Sequence, residues 1–242
     1  MKYAIIAAGE GSRLAAEGIA LPKPLVEVDG QPLIDRLLRI FLDNDAEEIV
    51  VICNDLTPLV ADHLRQLQSQ ELFGTGVPLK LVVKSTPSSM HSFFELSRHL
   101  VGGPFCMTTV DTIFRPEEFK SYIHAFRMAV AQGEVEGMMG VTDYIEDEKP
   151  LYVETDDSLA ITAFLDQSAD CKYISGGIYG LAEPALDTLN RCMERGESRM
   201  RNFQRALIAD GRRLRAYAFS KVLDIDHASD ILQAERFLQE TR

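Results

Sequence analysis

An apolar run, Tyr3 to Ala8, breaks directly into Gly9-Glu10-Gly11-Ser12-Arg13, and a second basic site follows at Pro22-Lys23-Pro24. A short continuous apolar run bounded by glycine reads as a buried strand. A strand, a small-residue loop and two spaced cations suit the holding of a polyphosphate. Backbone N–H groups approach phosphate oxygens only where side chains are absent, and glycine allows that approach. Arg13 and Lys23 would add the positive charge that amides lack. The loop is not a P-loop, because nothing resembling G-x-x-x-x-G-K-[ST] is present. It also makes a poor dinucleotide fingerprint, since Leu14 stands where the third glycine belongs. A tight strand-to-helix turn carrying surface cations is the plain alternative.

The pattern that follows sets the fold class. Pro32 can start a helix with Leu33, Leu37, Leu38 and Phe41 along one face. After the polar connection 43–48 comes a strand over 49–53, then a helix opened by Thr57 as N-cap and Pro58 as its first residue. Gly74 and Gly76 mark a turn, and 79–83 is the next strand. The order β-α-β-α-β predicts an α/β chain with a parallel sheet covered by helices. A helix over 88–100, a strand over 105–110 and a helix from Pro116 to about Gln132 continue it. From Met138 the pattern changes to short strand candidates at 138–142, 151–154, 160–164 and 173–181, which predict an antiparallel or mixed extension. Helices over 184–195 and 200–209, a strand over 214–219 and a last helix from about Ala228 complete the chain. With no repeat or linker in view, one domain over 1–242 is expected.

Composition narrows the partners. With 25 basic against 37 acidic residues the net charge is −12, which argues against general binding to nucleic acid or an anionic membrane. One local cationic cluster can still hold one anionic ligand. Cys53, Cys106, Cys171 and Cys192 lack metal-ligand spacing, so free thiols in a reducing compartment are expected. The N-terminal apolar run is too short for a signal peptide, and no run approaches the length of a membrane span. A cytoplasmic location is the expectation, and oligomeric state is not legible.

Ala7-Ala8-Gly9-Glu10-Gly11-Ser12-Arg13-Leu14, followed by Pro22-Lys23-Pro24-Leu25, resembles the signature of nucleotidyltransferases that activate sugar phosphates and related alcohol phosphates. The resemblance implies a three-layer α/β/α fold with a mixed, mainly parallel sheet. It also implies transfer of a nucleoside monophosphate from an NTP to a phosphorylated small-molecule acceptor, with pyrophosphate released and Mg²⁺ as cofactor. In such a family Arg13 would contact the departing pyrophosphate, and Lys23 the α-phosphate. Ala7, Ala8, Gly9, Gly11 and Ser12 would line the nucleotide site, with 1–135 serving mainly the nucleotide and 136–225 mainly the acceptor. Asp111, after the strand 105–110, would bind the metal; its plain alternative is a turn cap. Val222 to Ile231 resembles the family's closing motif, which implies a metal role for Asp226 or Asp224. Alternation puts those two on one side of a strand. Asp226 could instead cap the last helix, while Asp230 and Glu235 read as its surface residues.

The stretch from Lys84 to Phe93 resembles the segment that contacts base and ribose, with Ser89 and Ser92 as donors or as ordinary helix caps; His91 has no partner apparent in sequence. Ser175-Gly176-Gly177-Ile178-Tyr179 resembles the strand on which Gly176 and Gly177 let the acceptor approach the backbone. The loop 147–150 could line that pocket, a solvated loop being the default. Three other functions compete: a cytidylyltransferase for phosphocholine-like substrates, a metal-dependent glycosyltransferase, and a non-catalytic nucleotide sensor. The glycosyltransferase reading expects a D-x-D pair near the middle of the sequence, and Asp111-Thr112-Ile113 lacks it.

Overall fold

A computed structural model describes residues 1–145, 149–168 and 170–240. It opens with β1 (Lys2–Ala7), α1 (Ser12–Ala16), a 3-10 turn (Lys23–Leu25), β2 (Glu27–Val28), β3 (Gln31–Pro32) and α2 (Leu33–Leu42). Then come β4 (Glu48–Cys53), α3 (Pro58–Ser69), a short α4 (Glu71–Gly74), β5 (Leu79–Val83), α5 (Ser89–Ser97), β6 (Phe105–Thr109), β7 (Thr112–Ile113) and α6 (Pro116–Ala131). The rest is β8 (Gly137–Thr142), β9 (Tyr152–Thr155), β10 (Ile161–Leu165), β11 (Tyr173–Leu181), α7 (Pro184–Glu194), α8 (Met200–Ala209), β12 (Leu214–Phe219), β13 (Leu223–Asp224) and α9 (Ala228–Gln239).

The main sheet runs β10-β9-β11-β6-β1-β4-β5, with β8 pairing both β11 and β12. Strands β6, β1, β4 and β5 are mutually parallel. Beyond them β11 runs antiparallel to β6, β8 and β9, while β12 returns parallel to β8. This is the mixed sheet expected from the change of pattern after Met138. A buried central strand must be apolar on both faces, and β1 is. Tyr3, Ile5 and Ala7 enter one core cluster, and Ala4 and Ile6 the other. Helices α2, α3, α6 and α9 supply the first cluster; α5, α7 and α8 supply the second. The three-layer α/β/α arrangement follows from that division.

Local chemistry explains the helix starts. The four residues expected along one face of α2 are all buried. Thr57 caps α3 by accepting from the Leu59 N–H, and Ser88 caps α5 by accepting from the His91 N–H. Two small ladders were not anticipated. One is the β2–β3 hairpin around Asp29 and Gly30, both at positive φ. The other pairs Thr112 with Asp224 and Ile113 with Leu223. Each strand of these ladders is two residues long, too short to show a period. The second ladder matters for the site, because it draws a segment near the C-terminus onto the residues that follow β6.

Candidate active site

The carboxyl ends of β1, β4 and β6 lie side by side, since β1 pairs in register with both neighbours. Ligands of open α/β sheets bind at this edge. Asp111 stands just past β6. Its backbone carbonyl accepts the Ile225 N–H at 3.1 Å, so the β7–β13 ladder carries Asp226 to the same place. Lys23 comes from the 3-10 turn, where Pro22 and Lys23 carbonyls accept the Leu25 and Val26 N–H groups. Gly11 has φ 63°, and a Cβ there would lie 3.2 Å from the Lys23 Cβ. Only glycine fits this left-handed position while letting the lysine segment close on the loop.

Four charges meet as a result. Lys23 Nζ donates to Asp111 Oδ2 at 2.8 Å and to Asp226 Oδ1 at 2.6 Å. Arg13 donates to the other Asp226 oxygen at 3.0 Å. Burial works against the Lys23 charge, but Asp111 and Asp226 outweigh it and hold its pKa above the ordinary value. Burial likewise pushes Asp226 up, and Lys23 with Arg13 outweighs that, so its carboxyl is held below the usual range. Asp226 is not the cap of α9; that position belongs to His227. Asp230, read from sequence as a surface residue, accepts from the Asp226 N–H at 2.9 Å and the His227 N–H at 2.7 Å and thereby shapes the turn that carries Asp226. Glu235 accepts from the Asp29 N–H.

Two clefts flank this cluster. The first, of about 410 Å³, is lined by Ala8, Gly9, Glu10 and Gly11, by the 85–89 segment with Ser92, and by Lys23 and Asp111. Ala7 is buried in the core, and Ser12 opens α1 outside the lining. Ser89 lines the cleft without capping α5, while Ser92 is buried and hydrogen-bonded to Thr86 at 2.6 Å. His91 does have a partner, the Ser88 hydroxyl at 2.9 Å. The second cleft, of about 240 Å³, lies on the other side and is lined by Arg13, Tyr144, Gly176, Asp224 and Asp226 among others. Asp224 and Asp226 thus share a cavity, as alternation predicts, but Lys23 bonds Asp226.

The two glycines of β11 sit in a register shift between Ser175 and Ile178. A Cβ at residue 176 would meet the Gly140 carbonyl at 3.2 Å, and one at residue 177 (φ 70°) would meet the Thr112 hydroxyl at 3.0 Å. Protein atoms fill both spaces, so the fold itself requires these glycines; Gly176 also borders the second cleft. Asp147 and Glu148 of the charged loop lie outside the described residues.

Sequence reading missed Glu17. Its carboxylate pairs with His227 Nδ1 at 2.6 Å and accepts the Ala228 N–H at 2.7 Å, latching α1 to the start of α9. The partners are 210 residues apart, and only the tertiary structure reveals them. Among the described residues no group of three or more His, Cys, Asp or Glu is arranged for a metal. Two carboxylates converging on one cation fit Mg²⁺, which commonly takes one or two carboxylates and fills its other positions with water and substrate phosphate.

The family model described as Nucleotidyl transferase matches residues 2–241. The chain belongs to the nucleotidyl transferase family. Glucose-1-phosphate cytidylyltransferase of Salmonella typhimurium is 34% identical over 53 residues, 22% of this chain and 21% of that protein. Bifunctional protein GlmU of Methanococcus maripaludis is 25% identical over 246 residues, 97% of this chain and 53% of its own length. The chain therefore spans between about a fifth and about half of these two curated relatives. The structure of a putative glucose-1-phosphate thymidylyltransferase from Bacillus anthracis superposes with a TM-score of 0.83 at 18% identity, covering 99% of this chain and 96% of that one. At that identity the likeness establishes the nucleotidyl transferase fold. Among the described residues no helix is long and apolar enough to cross a membrane.

Proposed function

We propose that this member of the nucleotidyl transferase family moves a nucleoside monophosphate from an NTP to a phosphorylated sugar or small alcohol phosphate, releasing pyrophosphate. The observation that carries the reading is the meeting of Lys23 with Asp111 and Asp226 between a glycine-bordered cleft and a second cleft. Two anionic substrates need opposite approaches to one cationic centre, and this arrangement supplies them.

In the reaction a phosphate oxygen of the acceptor attacks the α-phosphorus in line, and the bond to pyrophosphate breaks. The nucleophile is already anionic, so no general base is required. Lys23 donates to the α-phosphate oxygens, where negative charge gathers, and Arg13 spans oxygens of the departing pyrophosphate. A guanidinium suits paired oxygens and an ammonium suits a point of charge. Asp111 and Asp226 are the residues that would hold Mg²⁺, with Asp224 beside them; the ion supplies charge neutralisation of the triphosphate. Gly9 and Gly11 leave room for phosphate, while Ser89 serves the ribose and base side and the buried Ser92 holds Thr86 at the wall of the same cleft. A cytoplasmic setting, where NTPs are abundant and thiols stay reduced, goes with this reading.

One feature favours a second acceptor class, an alcohol phosphate with a cationic head such as phosphocholine. The second cleft is bordered by Asp224, Asp230 and the Tyr144 ring. One face of that ring is covered by the Lys221 ammonium, 3.8 Å from its centroid, so the carboxylates are what favours a cationic head. Pyrophosphate release with each NTP and Mg²⁺, against sugar phosphates and phosphocholine, tests both. Release with one NTP and one acceptor class is the expected result. Nucleotide binding with no release across a broad panel indicates a sensor, and release of free sugar from a nucleotide sugar indicates a glycosyltransferase.

A further inference from the structure

Asn54 follows directly on β4, and the β1–β4 register pairs Ala7 with Cys53, so Ala8 and Asn54 leave the sheet side by side. Its side chain is buried, with 9% of the residue exposed. The amide nitrogen donates to the Ala8 carbonyl and to the Gly9 carbonyl, both at 3.2 Å. The amide oxygen accepts the Leu56 N–H at 3.2 Å. Carbonyls only accept, so the two partners fix which end of the amide faces the loop.

A trans peptide points its C=O and its N–H in opposite directions, and the described residues include no cis peptide bond. Drawing the Ala8 and Gly9 carbonyls toward Asn54 therefore turns the Gly9 and Glu10 N–H groups away from it. Ala8, Gly9, Glu10 and Gly11 line the first cleft, whereas Asn54 does not. The two N–H groups therefore point away from Asn54, on a loop whose residues line the cleft. Through its other end Asn54 holds Leu56, an exposed apolar residue that also lines this cleft.

We infer that Asn54 is a positioning residue for nucleotide binding: it orients two backbone N–H donors toward the triphosphate and fixes the apolar edge of the same cleft, without touching the ligand. This rests on the nucleotidyltransferase reading above. Asn54→Asp keeps the shape but sets a carboxylate against two carbonyl oxygens, which turns donors into acceptors. Asn54→Ser keeps one short donor and guards against an Asp variant that fails to fold.

The test is direct titration of the wild type and both variants with the preferred NTP. It is paired with KM for each substrate, melting temperature, and amide NMR shifts of Gly9 and Glu10 on NTP addition. The expected result is a dissociation constant for NTP at least tenfold higher in Asn54→Asp and about threefold higher in Asn54→Ser. KM for the acceptor stays within twofold, and the Gly9 and Glu10 shifts seen in the wild type are lost. A purely structural role would lower the melting temperature and move both substrates' constants together. Folded variants that bind NTP within twofold of the wild type overturn the inference while leaving the function intact. Failure of the wild type itself to bind any NTP overturns both.

Discussion

Gly177→Ala joins the packing of β11 to the chemistry of Asp111. Residue 177 has φ 70°, a region that costs a non-glycine residue about 1–2 kcal/mol. Its new Cβ would lie 3.0 Å from the Thr112 hydroxyl and 3.2 Å from the Thr109 hydroxyl. Those hydroxyls are hydrogen-bonded to each other at 2.7 Å, and parting them forfeits about 1 kcal/mol. The two effects sum to about 2–3 kcal/mol, which for a protein of this size lowers the melting temperature by about 4–12 °C. Urea unfolding should show a lower midpoint with an unchanged slope. The displaced threonines flank Asp111, so pyrophosphate release should fall as well. In a Thr112→Ala background the closest contact is gone, and the cost of Gly177→Ala should shrink by about 1 kcal/mol. A Gly177→Ala protein within about 0.5 kcal/mol of the wild type would refute the argument that protein atoms, not substrate, require this glycine.

The Glu17–His227 latch should depend on pH. The hydrogen bond to Glu17 raises the His227 pKa above 6.5, and the bond to His227 lowers that of Glu17 below 4.5. A raised histidine stabilises fully below its unfolded value and loses the effect as pH rises through the folded one. A lowered carboxylate stabilises above its unfolded value and loses the effect as pH falls. The melting-temperature gap between wild type and His227→Asn should therefore be widest between about pH 4.5 and 6.5 and close above the raised histidine value. Asp230→Ala removes the acceptor of two N–H groups in the Asp226 turn and should cost about 1 kcal/mol in urea unfolding. Arg13→Lys keeps the charge but loses the planar fork, and kcat should fall on the order of tenfold with the fold unchanged.

Much of this architecture was legible because it is local. The six-residue run of Tyr3 to Ala8, the Thr57-Pro58 start of α3 and the Pro116 start of α6 each carry their reason within a few residues. The change of period after Met138 announced the mixed half of the sheet. The site was half legible. Arg13, Lys23, Asp111 and Asp226 stand in motifs, and the fold brings them within hydrogen-bond distance across up to 213 residues. What stayed hidden is tertiary. The β7–β13 ladder is too short for a period, and Asn54, Glu17 and Asp230 look like any polar residue until their partners are known. In sequence Gly176 and Gly177 read as openings for a ligand, because nothing local tells whether substrate or protein atoms (the Gly140 carbonyl beside Gly176, the Thr112 hydroxyl beside Gly177) fill the space.

The proposed function requires the cations and carboxylates at the sheet edge to act together on one triphosphate. Its most direct test is kcat/KM for pyrophosphate release by the wild type and by Lys23→Ala, with circular dichroism and melting temperature measured on both. A fall of about 100-fold or more with the fold intact is expected, because the lost ammonium stabilises charge that develops in the transition state. A folded Lys23→Ala protein that turns over at the wild-type rate would contradict it.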